Sequence, residues 1–205
     1  MLSDSIFASV MSLGLAAGAA SGFGLAWAVA GLLGAALLYA LAAAALAATG
    51  RTLPTLPERA HVFIPALCVI GLGVAGYLTF VETQNVQAVC GPVGDCNTVQ
   101  SSPYARLFGV LPVGLLGLIG YVAIVAAWAV QRFTQGRLAE LAPLALFGLA
   151  LFGVLFSLYL TYLELAIIYA VCIWCLSSAA IMALLLILSV GPAMWALAGE
   201  EEDAI

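Results

Sequence analysis

Five cysteines carry the reactive chemistry open to this 205-residue chain: Cys68, Cys90, Cys96, Cys172 and Cys175. Cys172-Ile-Trp-Cys175 has C-x-x-C spacing. At a helix N-terminus, the dipole and the free backbone N–H groups stabilise a thiolate on the first cysteine of such a pair. Cys172 is thereby a good nucleophile and leaving group. Cys90 and Cys96 are separated by Gly-Pro-Val-Gly-Asp, a turn-forming stretch that brings the two thiols together or delivers one sulfur to Cys172. Two redox pairs facing one another form an exchange relay. Other chemistry fits the same residues. The C-x-x-C could be a structural disulfide or half of a zinc site, and both pairs together a four-cysteine zinc site. Cys90 and Cys96 could be a simple loop staple. Haem attachment needs C-x-x-C-H, and residue 176 is Leu. No metal is expected. Cys68 reads as a small apolar residue within a helix.

These residues sit in a chain that is 65% apolar and 7% charged, with net charge −5. A soluble domain carries roughly 25% charged residues, so that class is excluded. The negative balance excludes a nucleic-acid binder, and the apolar content excludes disorder. An integral membrane protein remains. Five apolar runs, 23–49, 62–81, 107–130, 142–168 and 172–190, are each near or above the length that crosses about 30 Å of hydrocarbon. None alternates like a strand, so a barrel is not expected. Residues 6–49 carry no charge. As one helix they would reach about 66 Å, too long for one span, and the small-residue stretch Gly18–Gly22 is expected to break them. Ser5, Ser9 and Ser12 make a polar stripe, so residues 5–17 either lie in the interface or add a sixth span. The start lacks the basic n-region of a signal peptide.

Arginine placement sets the orientation. Arg51 and Arg59 follow run one, and Arg132 and Arg137 lie between runs three and four. Both loops fall on one face, which is therefore cytoplasmic, and His61 lies there too. Cys90, Cys96, Cys172 and Cys175 fall together on the opposite face, in an oxidising compartment where disulfides persist.

Between the pairs, Ser102 and Pro103 signal an N-cap and N1 position, with Gly109 as a stop. A short amphipathic helix over residues 103–108 is expected, capping a small apolar pocket. Ser102 either caps it or offers a polar contact to a ligand. Gly114, Gly117 and Gly120 allow close helix packing or leave room for a flat ligand. Glu164 is an acid at membrane depth, a functional hypothesis by default, or an interfacial residue touching water. Arg106 could stabilise a thiolate or charge developing on a bound electron acceptor, or touch a headgroup.

The set Cys90-x5-Cys96, Ser101-Ser-Pro-Tyr-Ala-Arg106, Leu111-Pro-Val-Gly-Leu-Leu-Gly and Tyr162-Leu-Glu…Ala170-Val-Cys-Ile-Trp-Cys175 resembles bacterial homologues of vitamin K epoxide reductase over residues 62–190. The resemblance implies a four-helix bundle around a quinone, ubiquinone or menaquinone. Cys172 and Cys175 would be the active-site pair, with Cys175 facing the quinone. Cys172 would exchange with Cys96, and Cys90 would contact a separate thioredoxin-like protein outside the cytoplasm. Ser102 would match the family's loop serine, with Arg106 and Glu164 as supporting residues. The vertebrate tyrosine one turn after the second cysteine is replaced by Ala179, and the vertebrate asparagine has no equivalent at Gly109. A plain quinone is therefore expected in place of vitamin K epoxide.

The expected fold is all-α and polytopic: a four-helix transmembrane bundle plus one or two extra N-terminal helices. Residues 1–60 would form a hydrophobic extension with a cytoplasmic loop. Residues 61–198 would form the core, with the redox loop at 83–109, and 199–205 an acidic cytoplasmic tail. The expected function is a quinone-dependent thiol–disulfide oxidoreductase in the bacterial inner membrane, reoxidising the thioredoxin-like partner. Its rivals are the other bacterial quinone-coupled thiol oxidase, whose C-x-x-C comes in the first outer loop, and a non-catalytic scaffold or transporter subunit with structural disulfides.

Overall fold

A computed structural model describes the backbone of residues 2–51, 60, 62–91 and 93–203, and the side chains of these from residue 22 to 197. Arg59 and His61, and the side chains of Ser5, Ser9, Ser12 and the acidic tail, lie outside the described residues. The protein is an all-α polytopic membrane protein. Among the described residues, five helices are long and apolar enough to span: α1 (Leu2–Ala47, of which Gly22–Ala47 qualifies), α2 (Phe63–Gln84), α4 (Val113–Phe133), α5 (Arg137–Leu163) and α6 (Ile173–Asp203). In lipid no water satisfies backbone groups, so an uncharged run must bond to itself, and the helix does this. The helical backbone of α1 continues through residues 18–22. The expected break there is absent: Gly18-Ala-Ala-Ser-Gly22 contains no proline, so every residue keeps the N–H that the helical ladder needs.

The core is centred on α6. Its Leu185, Leu186 and Val190 are fully buried, in one cluster with Ala150 and Val154 of α5, Tyr121 and Ile124 of α4, and Ile64 and Cys68 of α2. Cys68 is buried and unbonded, the packing residue expected. The Tyr121 ring lies where a side chain at Gly71 would stand, and its hydroxyl meets Ser178 Oγ at 3.0 Å. Among the described side chains of α1 the buried positions are Gly22, Ala26, Val29, Leu33, Ala36, Ala40 and Ala43. Their alternating spacing of three and four is a coiled-coil seam, and mostly alanine fills it, which lets backbones approach closely. The seam faces α6 and α5.

The link from α2 to α4 differs from expectation. Helix α3 (Cys96–Ser101) begins at the second loop cysteine, because Asp95 serves as its N-cap and accepts from the Thr98 N–H at 3.1 Å. Residues 103–105 make only one 3-10 turn. The strands β1 (Arg106–Leu107) and β2 (Leu111–Pro112) then form a small hairpin, turned by Phe108 and Gly109, both at positive φ. The expected helix over 103–108 is thus displaced to the N-terminal side. Gly109 turns a hairpin instead of ending a helix, and the third span starts at Val113.

Candidate functional site: two cysteine pairs and a membrane cavity

Helix α5 runs into one wide π turn, Glu164–Ile168, and Tyr169 at φ +54° reverses the chain. Cys172 then takes the N-cap position of α6: its carbonyl accepts the Leu176 N–H at 3.0 Å. Its sulfur accepts the Cys175 N–H at 3.4 Å, as an N-cap side chain does with the third helical residue. The Cys175 thiol, the Cys175 and Trp174 N–H groups and the Gln100 amide all donate to Cys172. Led by the Cys175 thiol, they hold the Cys172 thiol below its ordinary range, against burial that acts the other way. Glu164 Oε2 accepts the Cys172 N–H at 3.4 Å. The ligand-capable atoms of Glu164, Cys172 and Cys175 lie within 4.8 Å of one another.

Cys90 and Cys96 form a disulfide. Cys96 and Cys172 are both fully buried, in one cluster with Ala88, Val99 and Ala170 and with Cys90, Trp174 and Cys175 against it. The segment carrying Cys90 is clamped on three sides. Asn97 pairs with both backbone groups of Ala88, at 2.7 and 3.3 Å. Tyr77 Oη accepts the Val89 N–H at 2.7 Å, and the Trp174 indole donates to the Val89 carbonyl at 3.0 Å. The Tyr77 and Trp174 rings pack with centroids 4.7 Å apart. A second tie joins the Asp95 N–H to the Val171 carbonyl at 2.9 Å. Next to it, Gly94 (φ +89°) presses its Cα so near Val171 O that no Cβ would fit. Thr98 hydrogen bonds, led by its hydroxyl, hold the Asp95 carboxyl below the usual carboxylate range.

A cavity of about 130 Å³ opens among α2, α4, α5 and α6. Leu116, Phe156, Leu160 and Met182 give it an apolar wall, and the lining runs out to Phe152, which is 59% exposed on the outer surface. Glu82, Gln100, Ser102, Glu164 and Cys175 supply polar groups at its cysteine end, and Tyr104, Ser157, Thr161 and Ser178 also line it. Of the C-x-x-C pair, Cys175 faces this cavity while Cys172 is sealed.

The expected site residues divide accordingly. Glu164 is 2% exposed and touches the cysteine pair, so it is no interfacial residue. Ser102 lines the cavity, donating its hydroxyl to Val99 O at 2.7 Å; it ends α3 and makes no side-chain cap to the turn after it. Arg106 is exposed, donates to the Glu82 carbonyl at 3.3 Å, and is not among the lining residues. The three glycines differ. Gly114 donates to Glu82 Oε2 at 3.0 Å and has no room for a side chain. Gly117 would meet Ala75 in ordinary contact, and Gly120 opens on the cavity with nothing within 4 Å. Glu82, Gln100, Tyr77, Asn97 and Trp174 escaped the sequence reading as site residues. Only Glu82, an acid closing an apolar run, left a signal that could have found it.

No curated protein matches the chain. A family model, the Vitamin K epoxide reductase family, matches residues 62–190, which take in α2, the redox loop, α4, α5, both cysteine pairs and the membrane part of α6. The chain belongs to the vitamin K epoxide reductase family, membrane oxidoreductases acting on thiols and disulfides.

Proposed function

We propose that this protein passes electrons from a separate thioredoxin-like protein to a membrane quinone, and so supports disulfide formation in exported proteins. The observation carrying the proposal is the division of the active-site pair. Cys175 faces an apolar, lipid-side cavity, while Cys172 is buried beside Cys96. The cavity suits a quinone head group: its apolar walls end in hydrogen-bonding groups beside the thiol, the usual composition of a small-molecule site. Bound there, a quinone supplies a two-electron, two-proton acceptor.

The residues then act in sequence. A partner thiolate attacks Cys90, breaking the Cys90–Cys96 bond and releasing Cys96 as thiolate. A second partner thiol displaces Cys90, so the partner leaves as a disulfide. Cys96 attacks Cys172, and Cys175 departs as thiolate. Cys90 then attacks Cys96, reforming the loop disulfide and freeing Cys172. The reduced pair, Cys172 and Cys175, gives up two electrons and closes again as a disulfide. Its two protons leave with the electrons, and Glu164, beside both sulfurs, is placed to carry one. Each exchange depends on thiolate fraction and access.

The proposed orientation puts both pairs outside the cytoplasm of a bacterial inner membrane. Arg51, Arg132 and Arg137 support it, because helix order sets them at the end away from the cysteines. Residues 61–198 would be the catalytic core, 1–60 an extension and 199–205 a cytoplasmic tail. The test mixes purified protein with a reduced thioredoxin-like protein and a soluble quinone, following thiol loss and quinol formation together. Wild type should turn over and Cys175→Ser should not. An inert wild type, or full turnover by the variant, overturns the proposal.

A further inference from the structure

The reduced active site also has the makings of a metal site. We propose that Cys172, Cys175 and Glu164, once the cysteines are reduced, bind one zinc-class cation, so that thiophilic metal locks the centre in its dithiol state. Three observations carry this. First, the three donor atoms lie within 4.8 Å of one another. Donors around a tetrahedral zinc, at about 2.0–2.3 Å from the metal, stand roughly 3.3–3.8 Å apart. A contraction of about 1 Å closes the site, and Cys175, on the cavity wall and only partly buried, has space to rotate. Second, the chemistry of the set is right. Two thiolates and one carboxylate suit zinc, and a C-x-x-C at a helix start supplies half of many zinc sites. The carboxylate is 2% exposed and has no cationic partner among the described contacts. Third, a fourth donor is at hand. The Gln100 amide reaches Cys172, yet its Oε1 is buried without a hydrogen-bond partner. A buried unpaired amide oxygen is costly, and turning the amide about its last bond exchanges N–H for oxygen at Cys172, where a cation would satisfy it.

Cys90 and Cys96 take no part, because they are joined to each other. A four-cysteine site from both pairs is thereby replaced by a set of two thiolates, one carboxylate and one amide oxygen. Binding moves no electrons: two thiol protons are released, and two metal–sulfur bonds form. Oxidation of Cys172 and Cys175 to a disulfide removes both thiolates, so metal and quinone compete for the same reduced pair. The proposal rests on the reading of Cys172–Cys175 as an interconverting pair, but its readout needs no turnover.

The experiment uses full-length protein carrying Cys90→Ala and Cys96→Ala, reduced, freed of reductant, and titrated with Cd2+ while the sulfur-to-metal charge-transfer band is followed. The expected result is a band saturating at one Cd2+ per chain, displaced by Zn2+ and absent after oxidation of the pair. Glu164→Gln should weaken binding at least tenfold, and Gln100→Leu severalfold, in samples whose helical circular dichroism matches the parent. A missing band in the reduced parent, or unchanged affinity in Glu164→Gln, overturns the proposal. Should the Glu164 variant misfold, Gln100→Leu decides, and unchanged affinity there overturns the proposal as well. A protein that binds Cd2+ as described but oxidises no partner would sink the oxidase reading and leave this one standing.

Discussion

Cys172 is made reactive by what surrounds it, and no single neighbour suffices. Four donors converge on its sulfur, with the Cys175 thiol first among them. In the fully reduced protein, the ultraviolet thiolate absorbance that is lost in Cys172→Ala should rise through its midpoint at a pH below the ordinary thiol range. A lowered pKa means more thiolate at a given pH, so loss of a donor must move the midpoint upward. Cys175→Ala should move it most, and Gln100→Leu less. An unmoved midpoint in both would mean that burial governs this thiol. The C-x-x-C spacing already announced the reactive residue, since the helix-start argument is local. Gln100 was not legible in the same way. Its part depends on α3 starting at Cys96, which places it one turn beyond that cysteine and opposite Cys172, and an isolated glutamine carries no sign of such a neighbour.

At the scale of elements, the site is a contact between two segments distant in sequence, the redox loop and the link from α5 to α6. Gly94 is where they touch. Gly94→Ala adds a side chain at φ +89°, where L residues are strained, and drives it into Val171 O. The loop should lift away from Cys172. Partner oxidation should then fall at least tenfold, while quinone still reoxidises the Cys172–Cys175 dithiol in a single-turnover assay. Equal loss in both half-reactions would place the damage elsewhere. Gly120→Leu acts on the other half. Its side chain enters the cavity, so the KM for a soluble quinone should rise severalfold while exchange with the partner persists. The spans were legible because lipid enforces a simple rule on uncharged runs. The 103–112 segment was not: Ser-Pro signals a helix start, but the Asp95 cap one turn upstream of Thr98 had already started α3, and Phe108–Gly109 turned the remainder into a hairpin.

For the molecule as a whole, the bundle has a family-matched part, residues 62–190, and a helix laid against it. The α1 seam of Ala26, Val29, Leu33, Ala36, Ala40 and Ala43 was present in the sequence as a three-four repeat, hidden by apolar residues on every other face. Ala36 is 1% exposed. Ala36→Leu overpacks this seam at a cost of about 1–3 kcal/mol. The detergent-solubilised protein should melt several degrees lower, with turnover below the melt unchanged, because no described α1 residue lines the cavity. Loss of turnover at low temperature would show that α1 reaches the site, and Gly22, which abuts Val93 and Gly94, marks the place where it would do so.

The sealing of Cys96 and Cys172 has one more consequence. Both are fully enclosed, and of the loop pair only Cys90 is partly open to the surface. A small thiol wandering in from solution therefore meets Cys90 first, and finds Cys172 closed to it. In the proposed relay the fold therefore works as insulation around a wire: a thiol from solution can enter only at the Cys90–Cys96 bond, and Cys172 is reached only through Cys96.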